Sequence, residues 1–187
     1  MTPTPPDSPA AADTAAAPAD RSPAAVTIRH ATPSDLAGIM AIYNDAVLNT
    51  TAIWNETVVD LDDRRRWYDA RIAGGYPVLV ATDGESVVGY ASYGPFRAFE
   101  GFRHTAELSI YVAAGQRGRR IGDRLLGALV TEAQERGVHV LVAGIEAENL
   151  LSLKLHVRHA FYECARMKEV GNKFNRWLDL VFMQRLL

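Results

Sequence analysis

The chain has a single cysteine, Cys164, so it cannot close an intrachain disulfide or build a cysteine-rich metal site. A reducing, cytoplasmic setting is the expectation that fits this, and no metal centre is expected. No apolar run approaches the ~18 residues of a membrane-spanning helix, so none is expected. Charge of one sign is also lacking: 20 Lys and Arg stand against 22 Asp and Glu, a formal net charge of −2. No global basic field therefore points to nucleic acid or to an anionic membrane. Between Met1 and Val26 large apolar residues are missing. That stretch is mostly Ala, Pro, Ser, Thr and Asp and holds six of the nine prolines. It has too little to bury to offset the entropy of ordering, and neither the basic start nor the apolar stretch of a signal peptide. Residues 1–25 are expected to be a disordered tail, and residues 26–187 one folded domain.

What is present is ordinary globular material, 48% hydrophobic and 22% charged, enough for one sizeable core. Val26–His30 alternates like a strand. Thr32, Pro33 and Asp35 read as a helix start, with Leu36, Ile39, Met40, Tyr43 and Val47 on one helical face. Asp60 is placed to cap a second helix that stops at Gly74-Gly75. Strands are expected over Pro77–Thr82, Ser86–Gly94 and His104–Val112, with Asp83-Gly84 as a turn. A helix from about Asp123 to Arg136, an apolar strand Val138–Glu146, a helix Asn149–His159 and two closing strands complete the pattern. Strands and helices do not alternate regularly. The expected class is therefore α+β, a mixed, mostly antiparallel twisted sheet of about six or seven strands flanked by about four helices.

The chemistry concentrates in a strand, a basic glycine-containing loop and a helix in succession. Ser109-Ile110-Tyr111-Val112 ends the strand, Gln116 to Gly122 forms the loop, and Asp123 opens the helix. Unsatisfied N–H groups at a helix N-terminus bind phosphate, glycines admit close approach, and arginines add charge-assisted bonds. There is no G-x-x-x-x-G-K-[ST] motif, and no G-x-G-x-x-G in a βαβ unit. Taken alone, such a loop reads equally well as a solvated basic turn.

The loop resembles the acetyl-CoA pyrophosphate loop of GNAT-superfamily N-acetyltransferases, [QR]-x-x-G-x-[GA]. Arg117 falls on its first position and Gly122 on its last, while Arg120 replaces the usual middle glycine. Asn149-Leu150-Leu151-Ser152-Leu153-Lys154-Leu155-His156 is similar to the family's N-x-x-[SA]-x-x-L-[YH] helix. His159-Ala160-Phe161 resembles its L-G-F strand entry with two residues altered. The similarity narrows to the phosphinothricin / methionine sulfoximine branch through Thr50–Glu56, Gly89–Gly94, Phe96–Arg103 and Val170–Asp179. It runs from about Val26 to the C-terminus and has no counterpart for the tail.

The resemblance implies the GNAT fold, acetyl-CoA as cosubstrate, a small amino-acid-like acceptor and a homodimer. An acceptor ammonium must lose a proton before it attacks the thioester, and Glu107 is the candidate base. Partial burial would raise its proton affinity; a strand carboxylate merely paired with an arginine such as Arg103 is the alternative. By resemblance, His156 would protonate or hydrogen-bond the CoA sulfur, and Asn149 would contact the pantetheine arm or an ordered water. A structural histidine and a helix N-cap are their plain alternatives. Ile110, Tyr111 and Val112 would offer backbone groups to pantetheine. Arg117, Gly118, Arg119, Arg120, Ile121 and Gly122, with Ser152, would complete the cofactor site, although the three arginines are not all expected on phosphate. A substrate carboxylate calls for arginine. Arg97 is favoured over Arg103 in the aromatic loop with Phe96, and Trp54 and Lys173 are further pocket candidates by resemblance. Two other readings stand beside this one: a GNAT enzyme for another amine (a polyamine, an antibiotic or a protein N-terminus), and a CoA-binding regulatory module of little turnover.

Overall fold

The computed structural model describes Met1 and residues 26–187. The expected tail, residues 1–25, therefore lies almost entirely outside the described residues. Seven strands are described: β1 (Thr27–His30), β2 (Val78–Asp83), β3 (Ser86–Pro95), β4 (Thr105–Val112), β5 (Val140–Glu146), β6 (Tyr162–Lys173) and β7 (Arg176–Leu186). Four α-helices accompany them: α1 (Leu36–Asn49), α2 (Leu61–Ala73), α3 (Ile121–Glu135) and α4 (Leu150–Arg158). The strands form one sheet in the order β1-β2-β3-β4-β5-β7-β6. Only β4 and β5 run parallel; every other neighbouring pair is antiparallel.

Local chemistry accounts for the helix starts. The Asp35 carboxylate accepts hydrogen bonds from the Thr32 N–H (2.7 Å) and hydroxyl (3.0 Å), and Pro33 opens a short 3-10 turn that leads into α1. The same carboxylate takes two bonds from Arg29, and that pairing holds its pKa down at about 2. The Asp60 side chain accepts from the Asp63 N–H (2.8 Å) and caps α2.

The sheet is covered on both faces. Leu79 and Ala81 of β2 pack toward α3 with Leu125, Leu126 and Leu129. Val78 and Val80 pack toward α1 with Leu36, Ile39 and Ile42. A strand buried on both sides reads as a continuous apolar run, which is why Val78-Leu79-Val80-Ala81 does not alternate. On β4, Leu108 and Ile110 join the α3 side, while Tyr111 joins the α1 side. The odd-numbered β4 residues, Glu107 among them, therefore share the α1/α2 face. Among the described residues no helix is long and apolar enough to cross a membrane.

Candidate active site

β4 and β5 are paired only from Thr105–Leu108 to Val140–Ala143, although β4 runs on to Val112 and β5 to Glu146. Their outer edges stay bonded, β4 to β3 through Val112 and β5 to β7 through Glu146. The two strands thus part like a V, and Ser109–Val112 and Gly144–Glu146 turn unpaired backbone edges into the gap. Such groups need partners, and an extended ligand carrying amides can supply them. Two cavities occupy the gap, one of about 290 Å³ and one of about 1180 Å³. They share walls formed by Ala52, Ile110, Tyr111, Glu146, Asn149 and Ser152, so they form one continuous passage through the splay.

The larger cleft runs along the basic loop. Arg117, Gly118, Arg120, Ile121 and Gly122 line it, as do Val112 and, from α4, Lys154 and Arg158. Helix α3 begins at Ile121, two residues earlier than the sequence suggests. The Ile121 side chain is in the core against Gly89, so Ile121 offers the cleft its backbone. Gly122 brings α3 close to α4: a Cβ there would lie 3.3 Å from Leu155. Arg119, expected with its neighbours on the cofactor, does not line the cleft. Its guanidinium is bound to Asp83 (2.8 Å) and Gln116, which anchors the loop to the end of β2. The two departures that replace a glycine of the family pattern have left-handed backbone, Arg120 at φ +57° and Ala160 at φ +61°, where a glycine carries no strain.

The smaller cavity holds Glu107. Burial pushes its pKa up, while Arg97 and Arg71 pull the other way. Arg97 Nη1 lies 3.9 Å from Glu107 Oε2, with its guanidinium 4.1 Å over the Phe96 ring. Gly144 faces the same carboxylate, where a Cβ would sit 3.4 Å from Oε1. Two residues on, at the junction of the cavities, Glu146 is only 6% exposed. It accepts a bond from the Thr51 hydroxyl (3.2 Å) and one from the Glu148 N–H (3.1 Å).

The smaller cavity also has walls from α4. The Asn149 side-chain Oδ1 accepts from the Ser152 N–H (3.2 Å), so Asn149 is the N-cap and its amide NH₂ remains available to the passage. His156 is 3% exposed and stacks edge-on against Phe161. Its Nδ1 lies 2.8 Å from the Ser152 carbonyl, an obligate acceptor, so Nδ1 carries the proton. Burial lowers its pKa, and Nε2 is then a buried lone pair with no partner among the described residues.

Several expected site residues stand away from both cavities. Arg103 is exposed and donates to the Glu100 carbonyl (3.3 Å), so Arg97, not Arg103, is the arginine of that loop beside Glu107. Phe96 packs edge-to-face on Phe102 and supports Arg97. Trp54 lies against Gly171, where a Cβ would be 2.2 Å from the ring, and donates to the Thr51 carbonyl (2.9 Å). Lys173 is 1% exposed and donates to the carbonyls of Thr50 (2.7 Å) and Ile53. Both hold the 50–54 loop that carries Ala52 into the passage. Sequence reasoning missed Arg71 and Glu146, both on the small cavity's wall. Each falls inside a regular element with no motif around it; the acidic end of an otherwise apolar β5 was the one available signal.

A family model described as "Acetyltransferase (GNAT) domain" matches residues 28–182. The chain belongs to the GNAT acetyltransferase family. Among its GNAT relatives is the L-methionine sulfoximine/L-methionine sulfone acetyltransferase of Pseudomonas paraeruginosa. That protein is 57% identical over 159 residues, 84% of this chain and 92% of the relative. An acetyltransferase structure from Salmonella typhimurium, solved with its cofactor acetyl-CoA, superposes with a TM-score of 0.86 at 52% identity, covering 87% of this chain and 94% of that one. A Brucella melitensis structure described as a ribosomal-protein-alanine N-acetyltransferase has a TM-score of 0.85 at 61% identity, covering 86% and 99%.

Proposed function

We propose that this GNAT chain transfers the acetyl group of acetyl-CoA to the amino group of a small amino-acid-like acceptor of the methionine sulfone, methionine sulfoximine or phosphinothricin type. The observation that carries the reading is the passage itself. A long basic cleft suited to CoA opens, through the β4/β5 splay, onto a small cavity that holds the Glu107 carboxylate, with Arg71 on its wall and Arg97 3.9 Å from that carboxylate. The cleft fits the cosubstrate in kind: a free β4 edge for pantetheine, and a helix N-terminus with Arg117, Lys154 and Arg158 for phosphates. In this reading Glu107 takes a proton from the acceptor ammonium. The freed amine nitrogen then attacks the thioester carbon, the carbon–sulfur bond breaks, and the amine's second proton ends on the departing sulfur. Arg97 holds the acceptor carboxylate. His156, neutral with a lone pair on Nε2, accepts a hydrogen bond and does not serve as the proton donor. Asn149 offers its NH₂ to the pantetheine arm.

Turnover of acetyl-CoA against an amine panel tests the assignment: methionine sulfone, methionine sulfoximine, phosphinothricin, spermidine and a peptide beginning with alanine. Selective turnover of the first three is expected. Preference for the peptide would transfer the activity of the Brucella relative's description to this chain, and no turnover with any amine would leave a CoA-binding module.

Arg120→Gly is expected to leave the protein folded, with no loss of melting temperature because the left-handed position is relieved. Acetyl-CoA affinity is expected to change by less than about tenfold, ~1.4 kcal/mol. Calorimetric titration at two salt concentrations checks this; much weaker binding with a shallower salt dependence would make Arg120 a principal phosphate ligand.

Residues 26–187 are proposed as the complete catalytic unit. Deleting residues 1–25 is expected to change neither melting temperature nor turnover, and a large loss of either refutes it. A cytoplasmic homodimer is part of the proposal. The edge strand β6 exposes Tyr162, Met167 and Val170, and Trp177 stands 66% exposed beside it on β7, an apolar surface of the kind that subunits cover. Sedimentation at micromolar concentration should give twice the chain mass.

A further inference from the structure

The small cavity contains a positive charge that no hydrogen bond or ion pair among the described residues engages. Arg71 stands in the last turn of α2 and lines the cavity. Its Nε is buried without a partner, and among the described residues no hydrogen-bond acceptor reaches the guanidinium. Its supports are indirect: the Trp67 ring 6.0 Å away, the negative end of its own helix and the field of Glu107. The backbone of β3 is shaped around it. A Cβ on Gly94 would fall 1.7 Å from Arg71 Nη1 and 2.5 Å from Cζ, so only glycine lets the guanidinium cross the strand. Gly94 is also the residue that pairs with Glu107 in β4. The sheet thus gives up a side chain to bring a second guanidinium to the carboxylate's neighbourhood. A partly buried cation without a partner is costly, and the cost is recovered when a ligand oxygen docks on it.

Two arginines near one carboxylate divide the acceptor between them. Arg97 approaches from the exposed loop and is half exposed, whereas Arg71 approaches from α2, over Gly94, with its Nε buried. With the amine at Glu107 and the carboxylate at Arg97, the acceptor's side chain is left for the interior cation. We propose that Arg71 donates hydrogen bonds to an oxygen on the acceptor's side chain, on sulfur or phosphorus, and thereby selects oxidised methionine-type acceptors over methionine. This rests on the acetyl-transfer reading above.

Methionine sulfone and methionine differ only in two sulfur-bound oxygens, so they isolate this contact. The wild-type enzyme should prefer the sulfone in kcat/KM. Arg71→Gln should lose about 30-fold or more on the sulfone, with methionine and the KM for acetyl-CoA within about threefold of wild type, so the preference collapses. Arg97→Ala should weaken both acceptors alike, because both carry the carboxylate. Equal losses on both acceptors with Arg71→Gln would put Arg71 on the carboxylate and overturn the proposal, as would a wild-type enzyme indifferent to the oxygens. Should Arg71→Gln fail to fold, Gly94→Ala displaces the guanidinium with Arg71 retained; the same selective loss supports the assignment and an unselective loss overturns it. Wild-type failure to acetylate either compound would instead sink the acetyl-transfer reading itself.

Discussion

Glu107→Gln is expected to lower turnover by about 10²-fold or more, the usual scale for loss of a general base, while acetyl-CoA still binds. The glutamine keeps the shape and removes the proton acceptor. The pH profile carries the sharper signature. Burial raises the Glu107 pKa, so the active, ionised form is lost as pH falls through that raised value, and activity falls with it. In the glutamine variant this acidic limb should shift or vanish. Stability should move the other way. A carboxyl whose folded pKa lies above its unfolded value stabilises the fold when protonated, and that contribution is lost as pH rises through this window. Glu107→Gln should therefore melt no lower than wild type at neutral pH. An unchanged kcat with an unchanged acidic limb would remove Glu107 from the mechanism.

Lys173→Met is expected to cost about 2 kcal/mol of stability and to raise the KM of both substrates more than it lowers kcat. Lys173 closes β6, and its Nζ reaches across to the carbonyls of Thr50 and Ile53. Between them, Thr51 donates to Glu146 and Ala52 walls both cavities. Methionine matches the length of lysine but leaves the two carbonyls without their donor. The loop that shapes the passage loosens on both the CoA and the acceptor side. Denaturant melts and initial-rate kinetics at saturating cosubstrate check this. Undiminished stability, with only the acceptor KM raised, would return Lys173 to direct contact with the acceptor.

Much of this architecture is legible in the chain. Thr32-Pro33-Ser34-Asp35 and Asp60-Leu61-Asp62-Asp63 announce α1 and α2 because a cap and the N–H it satisfies are three residues apart. The basic loop, the start of α3 and the Asn149 cap are local in the same sense, and Glu107 lies on the strand that leads into that loop. Arg71, in contrast, sits in a charged helix among Arg64, Arg65 and Arg66, and nothing within a few residues marks it as different from them. It matters because Gly94, more than twenty positions away, leaves room for it beside Glu107. Arg119 reads like Arg117 and Arg120 until Asp83 of β2 is found bound to it.

The sequence by itself determined the elements, the sheet-and-helix class, the family and the strand–loop–helix unit proposed for the cosubstrate, since each depends on residues near one another along the chain. The tertiary structure decided which arginine meets which carboxylate, that Lys173 holds a loop 120 residues away, and that His156 has its proton on Nδ1. It also decided that β4 and β5 part after Leu108 and Ala143. The physical reason is that hydrogen bonds, burial and excluded volume act through space. Side chains brought together by sheet order leave no spacing in the sequence from which their meeting could be read.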